Sequence, residues 1–127
     1  MWTFPAVPQS VGEARHIAME LAVRLGAESE VGDAMALCVT EAVTNAVLHA
    51  YRELPEKGPV ELEAVRQSGG LCIYVRDAGS GLRPNVASPG LGLGMPLMAQ
   101  LAEEFEMRTA SAGGTEVVLH FPLPRTA

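Results

Sequence analysis

The segment LCVTEAVTNAVLHAY (residues 37–51) places an acid, an amide and an imidazole at four-residue steps in an apolar stretch. These three residues are Glu41, Asn45 and His49. An α-helix turns by about 100° per residue, so their side chains fall within a stripe about 80° wide. Small and aliphatic residues occupy the other side: Val39, Val43, Ala46, Val47 and Ala50. The pattern predicts a helix that packs through one side and presents polar groups to a ligand on the other.

The length and composition of the chain predict a folded globular protein. With 127 residues, 48% of them hydrophobic and 19% charged, we expect a single domain over residues 1–127. The formal net charge of −6 argues against direct nucleic-acid binding. Cys38 and Cys72 have no metal-binding or redox spacing and are expected to be buried free thiols. We find no signal peptide and expect no membrane-spanning stretch, which predicts a cytoplasmic protein without membrane contact.

Two helices are expected in the first half of the chain. Ser10, with a glutamate three residues later, has the spacing of a capping box, and apolar residues then recur with helical period up to Gly26. Ser29 is the expected cap of a second helix that runs to about Arg52 and contains the polar stripe.

Alternating apolar residues predict strands in the remaining segments. Residues 60–64 and 71–75 form one expected hairpin, and residues 105–109 and 117–121 form another. Trp2 and Phe4 predict a short strand, placed at a sheet edge by its neighbouring prolines. Hairpins beside segregated helices are typical of an α+β fold, here a two-layer α/β sandwich with a mostly antiparallel sheet covered by helices.

Between the two hairpins, residues 78–94 are rich in glycine and proline and predict a mobile loop that acts as a lid. A third helix is expected over residues 95–104, with Pro96 in its first turn.

The pair Glu41 and Asn45 offers the first candidate chemistry. A carboxylate can orient or deprotonate a hydroxyl, and an amide oxygen can bind Mg²⁺. The alternative is a solvated glutamate beside an asparagine that bonds a neighbouring loop.

Asp77 follows an apolar strand and precedes Gly79 and Gly81. Its carboxylate can accept a hydrogen bond from the amine of adenine, while the glycines let the backbone approach a flat ligand. The alternative is a simple turn that closes the strand.

Gly90, Gly92 and Gly94 precede the third expected helix, where free backbone N–H groups favour phosphate oxygens. The segment lacks both the Rossmann fingerprint and the Gly-Lys-Ser/Thr of a phosphate-binding P-loop. The alternative is a flexible hinge.

These motifs, taken in order and together with Gly113-Gly114-Thr115, resemble the Bergerat-fold (GHKL) ATPases, which include gyrase, chaperone, histidine-kinase and MutL ATPase domains. The segment TEAVTNAVLHAY is most similar to the anti-sigma regulatory factors, bacterial serine-protein kinases that sequester a sigma factor. The resemblance covers nearly the whole chain.

The resemblance implies a role for each motif residue. Glu41 is the general base toward a protein serine, and Asn45 is the Mg²⁺ ligand. Asp77 accepts a hydrogen bond from the adenine amine. Gly79 belongs to the same nucleotide-binding motif, and Gly81 leaves room for the base. The remaining expected contacts are with the phosphates, from Gly92 and Gly94, and with the adenine site, from Thr115. His49 matches the family pattern without a chemical role of its own, and we expect packing or a helix-end hydrogen bond.

The sequence departs from the family in its expected lid. An arginine that typically contacts the γ-phosphate is replaced at about Gly90, and we offer Arg83 as a substitute. If Arg83→Ala changes neither ATP affinity nor phosphotransfer, that substitution hypothesis fails. The missing arginine keeps open a nucleotide-dependent binding module without kinase activity.

The resemblance also implies partners and cofactors. These are ATP, Mg²⁺, a sigma factor, and an anti-sigma antagonist of the STAS type. Family members commonly form homodimers, so Trp2 and Phe4 lie either at such an interface or in the core. A stand-alone histidine-kinase catalytic domain and a structural domain without a ligand are the remaining alternatives.

Overall fold

The structure, a computed structural model, describes residues 1–52, 54–67, 69–80, 91–110 and 113–124, with residues 91–94 described by their backbone alone. Within these ranges, three helices and five strands follow one another. In order they are β1 (Trp2–Pro5), α1 (Pro8–Arg24), α2 (Ser29–Asn45), β2 (Pro59–Gln67), β3 (Gly70–Asp77), α3 (Leu91–Leu101), β4 (Glu104–Thr109) and β5 (Thr115–Pro122). A turn of π-helix, Ala46–Ala50, continues α2 and is called the π-turn below.

All five strands form one antiparallel sheet in the order β1-β2-β3-β5-β4. Both expected hairpins are present, with Leu62 opposite Val75 in the first and Phe105 opposite Leu119 in the second. The expected edge strand is also confirmed, because β1 pairs with β2 alone. The α+β fold and the antiparallel sheet are therefore as predicted.

Alternation along the strands places apolar side chains on the helix-covered face of the sheet. The core includes Leu62, Ile73, Leu119 and Phe121 from the strands and Val39 from α2. Phe4 belongs to the same core, and Trp2 packs against it while half-buried. The core position of Phe4 therefore favours the second of the two expectations for that residue.

The start of α1 differs from the expectation. Ser10 is not its cap, because the helix already begins at Pro8, a residue whose fixed φ suits a first turn. The buried hydroxyl of Ser10 instead donates a hydrogen bond to the carbonyl of Pro5, at 2.6 Å. Ser10 thereby ties α1 to the end of β1.

Ser29 is the first residue of α2 and not its cap, because Glu28 occupies the cap position. The α-helical part ends at Asn45, earlier than expected, and the π-turn follows. By length and composition alone, the stretch Ser29–Ala50 could cross a membrane, with a mean hydropathy of 1.3. No such stretch was expected from the sequence. Half of the most apolar 18-residue segment within this stretch is buried inside the protein, including Met35 and Val43. The apolar character is thus that of a helix at the centre of the core.

Both cysteines are buried free thiols, as predicted. Burial, and then the nearby Glu41 carboxylate, raises the pKa of the Cys38 thiol to about 11. Cys38 therefore stays protonated and acts as a small apolar residue of the core.

Helix α3 begins at Leu91, four residues before the expected start, so Gly92 and Gly94 lie in its first turn rather than in a loop. Pro96 consequently lies inside the helix. The helix packs against α2 and places Met98 in the core. The rest of the expected lid, including Gly81, Arg83 and Gly90, lies outside the described residues.

Candidate functional site

The carboxylate of Asp77 is held at the end of β3 by two backbone donors. Its Oδ1 accepts hydrogen bonds from the N–H groups of Gly79, at 2.9 Å, and Thr115, at 3.2 Å. Burial raises the pKa of Asp77 above its ordinary value, and the two N–H groups oppose that shift. Among the described residues, both bonds use Oδ1, so Oδ2 is the oxygen that can accept a ligand's donor.

Two glycines allow this arrangement by close packing. A Cβ added at Gly79 would overlap the carbonyl group of Ala50 at the end of the π-turn. A Cβ added at Gly114 would overlap the backbone of Asp77 and Ala78. The missing side chain of Gly79 therefore lets its backbone contact the helix end. The expectation that it also lets a flat ligand approach closely stays a prediction. The same expectation for Gly81 lies outside the described residues.

Glu41 and Asn45 are both partly buried on α2, with Asn45 as its last residue. The Nδ2 atom of Asn45 is buried and has no hydrogen-bond partner among the described residues. A buried donor without an acceptor costs about 1–3 kcal/mol, so such an atom is usually satisfied by a ligand or by water. Its Nδ2 fits an anionic oxygen of a ligand, and the Oδ1 of the same amide is a hard oxygen of the kind that Mg²⁺ prefers.

The described residues contain no group of three or more His, Cys, Asp or Glu side chains that would bind a metal by themselves. Mg²⁺ is commonly held by one or two protein oxygens together with the phosphates of its substrate and water. The single amide of Asn45 fits that kind of site rather than a metal cage built by the protein alone.

The π-turn shifts His49 away from the regular four-residue step that relates Glu41 to Asn45. The guanidinium of Arg52 donates a hydrogen bond to the Nδ1 atom of His49, at 2.8 Å. Because arginine is only a donor, Nδ1 accepts and the neutral ring carries its proton on Nε2. Burial, followed by the charge of Arg52, lowers the pKa of His49. These contacts agree with the expected hydrogen bond at a helix end.

Gly92 and Gly94 lie among the first four residues of α3, whose backbone N–H groups have no acceptor within a helix. Such groups suit phosphate oxygens. The predicted phosphate contacts of the two glycines remain a prediction.

The structure brings together Asp77, Gly79 and Thr115 from the predicted set, and it also reveals two residues that the sequence reasoning did not assign. Gly114 packs on Asp77, and Tyr51 hydrogen bonds to the residue that follows Asp77. The signal for Tyr51 was available, since a tyrosine beside a buried helix face generally needs a partner for its hydroxyl.

Comparison with known proteins agrees with this fold. The profile of the family "Histidine kinase-like ATPase domain" matches residues 4–121. The chain therefore belongs to the histidine kinase-like ATPase domain family, the GHKL type that the sequence resembled.

Two kinds of curated relative are similar to the chain. The sensor histidine kinase PdtaS of Mycolicibacterium smegmatis is 33% identical over 104 residues, which cover 77% of this chain and 21% of that protein. An anti-sigma F factor of Heyndrickxia coagulans is 32% identical over 92 residues, covering 64% of this chain and 63% of that protein. The chain thus spans about a fifth of the length of the sensor kinases and less than two thirds of the anti-sigma F factor.

Solved structures show the same fold. The histidine kinase domain of a blue-light activated histidine kinase from Erythrobacter litoralis EL346 matches with a TM-score of 0.63 and 25% identity, covering 94% of this chain and 61% of that one. The RsbU and RsbW domains of a Mycobacterium tuberculosis protein match with a TM-score of 0.70 and 22% identity, covering 99% of this chain and 33% of that one.

Proposed function

We propose that the protein binds ATP with Mg²⁺, transfers the γ-phosphate to a serine of a STAS-type anti-sigma antagonist, and sequesters a sigma factor by partner switching. The observation that carries the proposal is the carboxylate of Asp77, whose Oδ1 is fixed by two backbone N–H groups while Oδ2 is available for an adenine amine. Similarity to an anti-sigma F factor supports the choice of partners.

Each residue has a proposed role in that reaction. Glu41 accepts the proton of the serine hydroxyl. At the same time the serine oxygen bonds to the γ-phosphorus, and the bond between that phosphorus and the leaving ADP breaks. Asn45 holds Mg²⁺ through Oδ1 and a phosphate oxygen through Nδ2. Bound Mg²⁺ supplies positive charge that offsets the charge of the phosphates. Thr115 supports Asp77 from β5.

The phosphates and the base have further proposed contacts. The N–H groups of Gly92 and Gly94 at the start of α3 contact the phosphates, and Gly81 leaves room for the base. Gly79 acts indirectly, since its N–H bonds Asp77 and its backbone packs on Ala50.

The assembly and setting of the protein are proposed on the same basis. The chain works as one domain over residues 1–127, in the cytoplasm, and without direct contact with nucleic acid or membrane. A homodimer is proposed because members of the anti-sigma regulatory family commonly form homodimers. Because Phe4 belongs to the core, the half-buried Trp2 is the better candidate for an interface. Solution mass of the full chain and of a Trp2→Ala variant tests that point.

A first test is calorimetric titration with Mg-ATP and with Mg-ADP, with Asp77→Asn as the control. We expect both nucleotides to bind, ATP to bind more tightly, and Asp77→Asn to remove most of the affinity for both. If neither nucleotide binds, the proposal fails. Equal affinities would favour a nucleotide-dependent binding module without kinase activity.

A second candidate function is that of a histidine-kinase catalytic domain, which the similarity to sensor histidine kinases favours. The two kinases differ in their product, because phosphoserine is stable in acid and phosphohistidine is not. Radiolabelled ATP with a STAS-type protein, or with a histidine-bearing phosphoacceptor domain, followed by acid treatment, decides between them. Acid-stable label on the STAS-type protein supports the proposal, and acid-labile label on the other refutes it.

A further inference from the structure

Tyr51 lies directly after the π-turn and is almost completely buried, with 3% of its surface exposed. Its hydroxyl donates a hydrogen bond to the carbonyl of Pro59, at 2.6 Å, at the start of β2. The same oxygen accepts a hydrogen bond from the N–H of Ala78, at 2.9 Å, directly after β3. One hydroxyl therefore links the end of the helix to the ends of two neighbouring strands.

A second link joins the same two parts of the chain. The carbonyl of Ala50 accepts a hydrogen bond from the N–H of Ser80, at 2.9 Å. Between these two links lies Gly79, whose backbone packs so closely on Ala50 that no Cβ would fit. Residues 78–80 are thus fastened to the end of the π-turn on both sides of Gly79.

The hydrogen-bond roles of the phenol are fixed by its chemistry. A phenol has one proton to donate, and here that proton goes to Pro59, so the N–H of Ala78 must be accepted by a lone pair. The phenol is held in place by its burial and by these two hydrogen bonds, and Gly58 packs beside it, since a Cβ added there would lie only 2.9 Å from its oxygen. A rigid phenol therefore fixes the N–H of Ala78 in space, and Ala78 is the immediate neighbour of Asp77.

The π-turn explains why Tyr51 reaches this position. A π-helical turn holds one more residue than an α-helical one, which changes the direction of every residue that follows it. Asn45, the last α-helical residue, keeps its place on the polar stripe, while Ala50 and Tyr51 are turned toward the end of β3. Turns of this kind are frequent at functional sites.

We infer that Tyr51 is a positioning residue for base selection: its hydroxyl fixes Ala78, so that the carboxylate of Asp77 is held in the orientation that meets the amine of adenine. The inference rests on the proposed function of ATP binding. It adds that the helix bearing Glu41 and Asn45 and the strand end bearing Asp77 are joined at Tyr51 into one unit.

The test compares the nucleotides ATP and ITP, which differ at the base. ITP has a carbonyl where ATP has the exocyclic amine, so it cannot make the amine hydrogen bond to Asp77, although its ring N1–H is still a donor. The full chain, Tyr51→Phe and Tyr74→Phe are titrated with the Mg²⁺ complex of each nucleotide. Tyr74 is the matched control, because it is the second of the two tyrosines and lies on the opposite face of the sheet from the core.

The expected result is a change in selectivity. Wild type prefers ATP. Tyr51→Phe keeps the ring but lowers ATP affinity by about three- to tenfold, the loss that corresponds to one net hydrogen bond. Its affinity for ITP stays within about twofold of wild type, since ITP lacks the amine bond to Asp77 that Tyr51 is inferred to support. The ATP-to-ITP ratio therefore contracts in Tyr51→Phe and stays unchanged in Tyr74→Phe.

Other outcomes overturn the inference in distinguishable ways. If wild type binds ATP and Tyr51→Phe keeps the wild-type ratio, or both affinities fall in parallel with a lower melting temperature, Tyr51 has a structural role only. If wild type binds neither nucleotide, the proposed function itself fails.

Gly79→Ala provides a second variant in case Tyr51→Phe does not fold. The added methyl group pushes residues 78–80 away from Ala50 while the phenol stays intact. We expect the same contraction of the ATP-to-ITP ratio, and a wild-type ratio in a folded Gly79→Ala protein overturns the inference.

Discussion

The carboxylate of Asp77 accepts the backbone N–H of Thr115 at 3.2 Å, a contact between residues that lie 38 positions apart in the chain. It joins the last residue of β3 to the first residue of β5, two strands that are neighbours in the sheet. Since Gly79 donates to the same oxygen, the carboxylate is oriented before any ligand arrives. Orientation in advance lowers the entropic cost of binding.

The raised pKa of Asp77 predicts opposite effects of acid on binding and on folding. Its ordinary value is 3.8, and burial raises it in the folded protein. As the pH falls through the raised value, the carboxylate is neutralised and ATP affinity falls. Over the same interval the folded state binds more protons than the unfolded state, so this residue stabilises the fold increasingly as the pH falls toward 3.8.

The measurement is ATP affinity and melting temperature against pH, in wild type and in Asp77→Asn. The variant carries no titrating group at this position, so the difference between the two proteins isolates Asp77. A wild-type melting temperature that falls more steeply toward acid than that of Asp77→Asn would contradict the prediction.

The unpartnered amide of Asn45 predicts a trade between stability and binding. In Asn45→Ala the buried donor is removed, which offsets the loss of packing, and we expect an unfolding free energy that is unchanged or higher by about 1 kcal/mol. Affinity for Mg-ATP should fall by at least about tenfold, which is the loss expected when a hydrogen bond to a charged phosphate oxygen is removed. Denaturant unfolding and calorimetry measure the two quantities.

Leu37→Ala is the matched control, because Leu37 lies exposed on the same helix. We expect neither quantity to change appreciably in that variant. A clear loss of stability in Asn45→Ala without a loss of Mg-ATP affinity would show that the amide serves the fold rather than a ligand.

Periodicity predicted most of the fold, because period-two alternation and helical spacing report directly on which face of an element is buried. Both hairpins and the two long helices followed from that signal. The start of α3 was missed because Gly92 and Gly94 have low helix propensity, and the packing of the following residues outweighs it.

The candidate site was also predictable only in part. Asp77 and the polar stripe could be identified from residue type and order. The roles of Gly79, Gly114 and Tyr51 depend on how closely separate segments approach one another, and no local pattern encodes that distance. The π-turn escaped prediction for a similar reason, since its sequence is also compatible with an ordinary α-helix.

Two glycines predict opposite outcomes for the same change. Gly114→Ala places a methyl group against the backbone of Asp77, where nothing flexible can move aside, so we expect a loss of about 1–3 kcal/mol in unfolding free energy and weaker ATP binding. Gly12→Ala, in the open on α1, should stabilise the protein by about 0.5–1 kcal/mol and leave binding unchanged. Denaturant unfolding of both variants measures the contrast. Equal effects at the two positions would contradict the close packing at Gly114.

Arg76 bridges two strands on the face of the sheet away from the helices. Its guanidinium donates hydrogen bonds to Glu63 on β2, at 2.9 Å, and to Glu116 on β5. Arg108 on β4 also donates to Glu116, at 2.6 Å. The four side chains therefore connect β2, β3, β5 and β4 in one network, at about the level of the sheet where Asp77 ends its strand.

Removing the centre of this network should cost more than removing its end. The side chain of Arg76 is 26% exposed and that of Glu116 is 12% exposed, whereas that of Arg108 is 50% exposed. Arg76→Ala leaves two carboxylates without their shared partner, and we expect a loss of about 1–3 kcal/mol in unfolding free energy. Arg108→Ala, the matched control, should cost much less, because ion pairs of an exposed side chain contribute little to stability.

The network also predicts a specific acid sensitivity. Although burial opposes the shift, hydrogen bonds from Arg76 and Arg108 hold the pKa of Glu116 below its ordinary value of 4.5. Its contribution to stability is therefore present above pH 4.5 and is lost as the pH falls through the lowered value. Glu116→Gln should remove that part of the acid dependence, as measured by melting temperature against pH. If Glu116→Gln keeps the wild-type profile below pH 4.5, the network does not stabilise the sheet through this carboxylate.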